Sequence, residues 1–104
     1  MTRNDLMQAY YIGKEIESWK NEEKRIKNSN QGSKISKMLS ELERKKEEII
    51  DFIMSIEDPQ IRLIVKLRCY DRLSWNAVAD RVGGMNTEYT VKKRFYRFLE
   101  KEGA

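Results

Sequence analysis

The chain has 104 residues, room for one small domain or a domain with an extension, and its 39% hydrophobic against 37% charged residues allow only a modest core. The net charge is +4; zero histidines and one cysteine exclude His-based nucleophilic catalysis, a structural zinc site and an intrachain disulfide. No run approaches the ~18 apolar residues of a membrane span, and Met1–Asp5 has no continuous apolar run behind it of the kind a secretory signal requires.

The residues predict an all-α chain. Apolar positions recur at steps of three and four, and no alternating run is bounded by turn residues. The first helix is expected over Asn4 to about Asn28, with Asn4 as cap and Asp5 in the first turn, where the helix dipole favours negative charge. Leu6, Ala9, Tyr10, Gly13, Ile16, Trp19 and Ile26 share one face, and Met7, Tyr11 and Ile12 lie off it as apolar surface spare for a partner. The polar run Asn28-Ser29-Asn30-Gln31-Gly32-Ser33 reads as a loop.

A second helix is expected from about Lys34 to Ile56, with Ser33 as candidate cap. Ile35, Leu42, Ile49 and Ile56 recur every seven residues, with Met38 or Leu39 and Phe52 or Ile53 between them. That is a coiled-coil-like seam. It fits an αα-hairpin with the first helix, and it fits self-association as well, so a homodimer or higher homo-oligomer is expected. Residues 1–57 are therefore read as a helical hairpin and oligomerisation region, and 58–104 as a separate C-terminal domain.

Asp58-Pro59 starts a third helix, Pro59–Tyr70, with Asp as cap and Pro at the first position, where a missing N–H costs nothing. Ile61, Ile64, Val65, Leu67 and Cys69 make it apolar on more than one side, hence central. Cys69 is expected as a small core residue in a reducing compartment. Ser74 caps a short helix, Trp75–Val82, with Trp75 as a core or rim anchor. Gly83-Gly84-Met85-Asn86 is a turn, with Gly83 suited to a left-handed helix end. Thr87 caps the last helix, Glu88 to about Lys101, with Val91, Phe95, Phe98 and Leu99 as its buried stripe.

The positive charge is segregated. Residues 1–60 carry 11 basic and 12 acidic side chains, whereas residues 61–104 carry 10 and 5. Half of those ten lie in the last helix: Lys92, Lys93, Arg94, Arg97 and Lys101. Burial of the apolar stripe turns Lys92, Lys93, Tyr96 and Arg97 outward, a footprint for a polyanion. A short capped helix, a glycine turn and a basic second helix form a helix-turn-helix, in which the second helix enters the major groove. The candidate DNA-binding residues are Ser74, Asn76, Thr87, Glu88, Tyr89, Thr90, Lys92, Lys93 and Arg97. Glu88 suits a cytosine amino group, the threonine hydroxyls suit bases or phosphates, and the lysines suit phosphate or guanine. Arg97, further along, suits a phosphate, as do the helix starts at Ser74–Asn76 and Thr87–Tyr89.

Leu67-Arg68, then Leu73-Ser74-Trp75-Asn76-Ala77-Val78-Ala79, Val82-Gly83, Val91 and Phe98-Leu99 resemble the C-terminal helix-turn-helix, region 4, of sigma-70-type factors. The segment Leu73-Ser74-Trp75 with Val78-Ala79, and the turn Gly83-Gly84-Met85-Asn86-Thr87-Glu88, are similar to those of small phage-encoded regulators. The likeness covers about residues 60–101. It implies a phage-encoded, DNA-binding transcriptional regulator in the cytoplasm of a bacterial host, with double-stranded DNA as partner and RNA polymerase as a further one. No catalysis, cofactor or membrane partner is expected. Two alternatives share these features: an adaptor that binds RNA polymerase or another phage protein, and the DNA-recognition subunit of a phage packaging motor.

Overall fold

The computed structural model describes residues 1–26 and 29–102, all of it helical or connecting, with no strand among the described residues. The order is α1 (Arg3–Arg25), α2 (Ser29–Met54), α3 (Pro59–Val65), a π-helical turn (Lys66–Tyr70), α4 (Trp75–Val82) and α5 (Glu88–Lys101). A long N-terminal helix pair is followed by shorter C-terminal helices, as the sequence predicts.

α1 starts one residue earlier than expected, and its cap is Thr2 rather than Asn4. The Thr2 hydroxyl accepts from the Asp5 N–H at 3.1 Å, and the Asp5 carboxylate accepts from the Thr2 N–H at 3.0 Å. This reciprocal box satisfies two backbone donors, where a lone Asn4 cap would satisfy one. α1 ends at Arg25, and the expected end at Asn28 lies outside the described residues.

The expected loop is the main correction. Ser29–Ser33 are helical, so Ser33 is an interior residue and not a cap. The reason lies across the hairpin. Trp19 on α1 and Ile26 at its C-terminal cap share a groove with Gln31, Lys34 and Ile35, so α2 has to reach back that far to cover them. Packing of an amphipathic face outweighs the weak local preference of Ser, Asn and Gly for helix. The hairpin register is further marked by an ion pair, Lys20 to Glu43 at 3.2 Å, and by the Ser36 hydroxyl donating to Glu23 at 3.0 Å.

α2 ends at Met54, so Ile56, the last residue of the heptad series, sits in the turn before α3 rather than on the helix. It is still buried, as are Ile35 and Ile49, while Leu42 is half-buried. At the alternate positions Leu39 and Ile53 face inward; Met38 is exposed and Phe52 half-buried.

Two apolar clusters result. The larger takes Leu6 and Ala9 from α1, Ile49 and Ile53 from α2, and Ile56, Ile64, Val65, Leu67, Cys69, Trp75, Val78, Ala79, Val91, Phe95 and Leu99. Residues from both sides of position 58 thus share one core. Met7 and Ile12, expected to be spare for a partner, pack against it; of that trio Tyr11 alone is exposed. The smaller cluster, Ile16, Ile35 and Leu39, closes the outer half of the hairpin with Trp19, Ile26 and Leu42 at its margin. The molecule measures 54 × 26 × 18 Å, because the hairpin runs beyond the main core.

Asp58 caps α3 as expected, accepting from the Gln60 and Ile61 N–H groups at 2.8 and 3.2 Å. The third helix is not uniform, however. After Val65 it widens into a π-turn, with the Asp71 N–H donating to the Lys66 carbonyl at 3.0 Å. α1 packs on this turn, and the Met7 and Cys69 sulfurs lie 3.9 Å apart. The widened turn therefore buries Leu67 and Cys69, two positions apart, between α1 and α4.

Candidate nucleic-acid interface

The site is built on α5. Thr87 caps it: its hydroxyl accepts from the Thr90 N–H at 3.2 Å, and the Thr90 hydroxyl accepts from the Thr87 N–H at 2.8 Å. Val91, Phe95 and Leu99 are buried, and Phe98 is half-buried with its ring 6.3 Å from that of Phe52. The rest of the helix faces outward. Glu88, Tyr89, Lys92, Lys93, Arg94, Tyr96, Arg97 and Lys101 are all exposed. Five basic and two acidic residues give α5 a net charge of +3. None of the five forms an ion pair among the described residues. The Lys93 ammonium lies 5.7 Å over the Tyr89 ring.

α4 lies beside α5 across a turn of unusual backbone. Gly83 and Gly84 have φ of 67° and 59°, and Met85, also left-handed at 67°, is almost fully exposed. Gly83 has the positive φ of the expected left-handed helix end, but its ψ of −152° lies outside the left-handed helical region, in a combination open essentially to glycine alone. The Asn86 side chain closes the turn by donating to the Gly83 carbonyl at 2.8 Å. Trp75, the first residue of α4, is buried as an anchor, with its ring 5.1 Å from Phe95 and 6.2 Å from Tyr96. This contact sets the start of α4 against the middle of α5.

The predicted residues divide by what they have left to offer. The hydroxyls of Thr87 and Thr90 serve the α5 cap, and that of Ser74 accepts from the Ala77 N–H at 3.2 Å. Asn76 and Glu88 are exposed and, among the described residues, make no side-chain hydrogen bond. Lys93 and Arg97, four positions apart, form an outward row with Tyr89 at its head, and Lys92 projects about 100° away around the helix, one turn before Tyr96.

Three arginines absent from the expected set lie close by, each against an aromatic ring. The Arg3 guanidinium is 5.4 Å from the centre of Tyr96, Arg68 is 4.5 Å from Trp75, and Arg72 is 5.0 Å from Tyr11. Arg68 also donates to the Leu73 carbonyl at 2.9 Å, which pins the segment leading into α4. No pattern along the chain marks this group, because its members come from α1, the π-turn and the loop before α4.

Elsewhere, a mostly apolar groove of about 580 Å³ lies between α2, α3 and the π-turn, lined by Ile50, Ile53, Met54, Pro59, Leu63 and Tyr70 together with the cationic Arg62 and Lys66. Burial pushes the Cys69 thiol up to about 12. Among the described residues no group of His, Cys, Asp or Glu is placed to hold a metal ion, and no helix is long and apolar enough to cross a membrane. The chain matches no protein-family model, no curated protein and no solved structure.

Proposed function

We propose that this protein is a DNA-binding transcriptional regulator, phage-encoded and acting in the cytoplasm of a bacterial host. In this reading α5 enters the major groove, and α4 braces it on the backbone. The observation that carries the proposal is the set of exposed cations Lys92, Lys93 and Arg97, free of ion pairs among the described residues, on a helix whose opposite face is locked into the core. Cations already neutralised by acidic neighbours would have little to exchange with phosphate; these have their charge available. Asn76 and Glu88 have unspent polar ends at the two helix starts, where side chains in this arrangement meet bases and phosphates. Thr87, Thr90 and Ser74 contribute chiefly by fixing those starts.

Self-association of the hairpin belongs to the same proposal. It is supported by a groove at the outer end that leaves Trp19 and Ile26 half-covered and Met38 exposed. A dimer would present two copies of α5 to two half-sites. Molar mass in solution, with and without a duplex, reads this directly.

The test of DNA binding is titration of duplex DNA at several salt concentrations. Each phosphate contact contributes a slope of about −0.9 to log K against log salt. Replacing Lys92 and Lys93 by Ala makes the slope shallower by up to about 1.8 and leaves the circular dichroism unchanged. Absence of binding at low salt, or a flat salt response, overturns the proposal.

A further inference from the structure

We propose that Arg3 and Arg72 form a second, phosphate-gripping edge of the DNA interface, built from the start of α1 and the loop before α4. This rests on the DNA-binding reading and extends it to residues outside the two helices of the motif.

Four observations carry it. First, the two guanidinium groups lie over the rings of Tyr96 and Tyr11, at 5.4 and 5.0 Å. A ring beneath one face holds the side chain in place and leaves the N–H groups at its rim free, so little freedom is lost when they meet an anion. Second, both arginines are exposed and neither forms an ion pair among the described residues. The acids nearest along the chain are engaged elsewhere: the Asp5 carboxylate accepts from the Thr2 N–H, and Asp71 takes the Lys66 ammonium at 2.8 Å. Third, Arg72 has φ of 59°, a left-handed conformation that non-glycine residues rarely adopt. Here it accompanies the placement of the Arg72 head group on Tyr11.

Fourth, the positions suit a nucleic-acid strand. Tyr96 sits on α5 between Lys92 and Arg97, so Arg3 adds a cation at the edge of the same basic face. Arg3 and Tyr11 are eight positions apart on α1, a rise of about 12 Å, so the two arginines reach different phosphates. Arg68, over the Trp75 ring and hydrogen-bonded to the Leu73 carbonyl, holds the segment leading into α4 and is a positioning residue.

The experiment is the same salt titration with Arg3→Gln, Arg72→Gln and the double variant, beside wild type and the Lys92→Ala/Lys93→Ala variant. Each glutamine should make the slope shallower by about 0.9, and the double variant by about 1.8. Affinity should fall to a similar degree on specific and nonspecific duplexes, because phosphate contacts carry no sequence information. Arg3→Lys and Arg72→Lys should restore the wild-type slope. If the glutamine variants keep that slope while the Lys92/Lys93 variant loses it, this edge does not exist and the proposed function stands. A glutamine variant that melts earlier with its slope intact has lost packing alone, which also overturns the inference. Failure of wild type to bind DNA overturns both.

Discussion

Phe95→Ala is the perturbation that bears most directly on how α5 is held. The side chain is 1% exposed, and its ring meets Trp75 at 5.1 Å and Tyr96 at 5.3 Å, both edge-on. Truncating a buried phenylalanine costs about 3–5 kcal/mol, through lost transfer energy and the cavity left behind. The two edge contacts place this site in the middle of that range or above it, since such pairs add about 0.5–1.5 kcal/mol beyond area. A loss of about 4 kcal/mol is expected, against a total of about 5–15 kcal/mol for a chain of this length. Urea unfolding followed by far-ultraviolet circular dichroism and by Trp75 fluorescence in a Trp19→Phe background would measure it. The melting temperature should fall by about 20 °C. Tyr89→Ala, on the exposed side of the same helix, should change stability by less than about 0.5 kcal/mol. A loss below about 1 kcal/mol for Phe95→Ala would mean that α5 is not seated on this core, and the outward row of cations would lose its basis.

Met85 is left-handed with φ of 67° and is 98% exposed, so it carries backbone strain without a packing contact; Met85→Asn should stabilise the chain by about 0.5–1 kcal/mol, read as a rise in melting temperature, and a fall would refute the strain argument. Cys69 has its thiol pushed up by burial from 9.0 to about 12, so the folded state keeps a proton that the unfolded state gives up. Its contribution is fully present below pH 9.0 and is lost as pH rises through about 12, with a slope approaching about 1.4 kcal/mol per pH unit between them. Unfolding free energies of wild type and Cys69→Ala, compared from pH 8 upward, should converge above pH 9.0; a constant gap would show that the thiol does not titrate with folding.

Much of the fold was legible because its signals are local. Asp58-Pro59, Ser74 and Thr87 each pair a capping side chain with backbone donors two or three residues away, and all three begin helices as expected. The buried stripe of α5 was equally plain, since Val91, Phe95 and Leu99 repeat at the helical spacing. What failed depended on partners distant in sequence. Ser29–Ser33 look like a loop until Trp19 and Ile26 demand cover. Met7 looks spare until the π-turn packs on α1, and Ile12 until α2 lies alongside it. The π-turn differs from an ordinary helix by one residue in its bonding, which no periodicity resolves. The stacked arginines were least legible of all: Arg3 meets Tyr96 from the opposite end of the chain.

The distribution of unspent polar groups bears on how such a surface would discriminate among DNA sequences. Ser74, Thr87 and Thr90 use hydroxyl capacity in capping, so they fix geometry more than they read bases. The groups left over are mostly long cations: Lys92, Lys93, Arg94, Arg97, Arg3 and Arg72. Cations of this kind bind phosphate wherever it lies and set register rather than sequence. Under the proposed function, base discrimination therefore falls on a short list headed by Glu88 and Asn76, with Lys92 and Lys93 divided between guanine edges and phosphates. Affinity would then depend steeply on salt and weakly on sequence, and pairing of two copies through the hairpin would be the economical route to a specific site, since it doubles the bases read without changing α5.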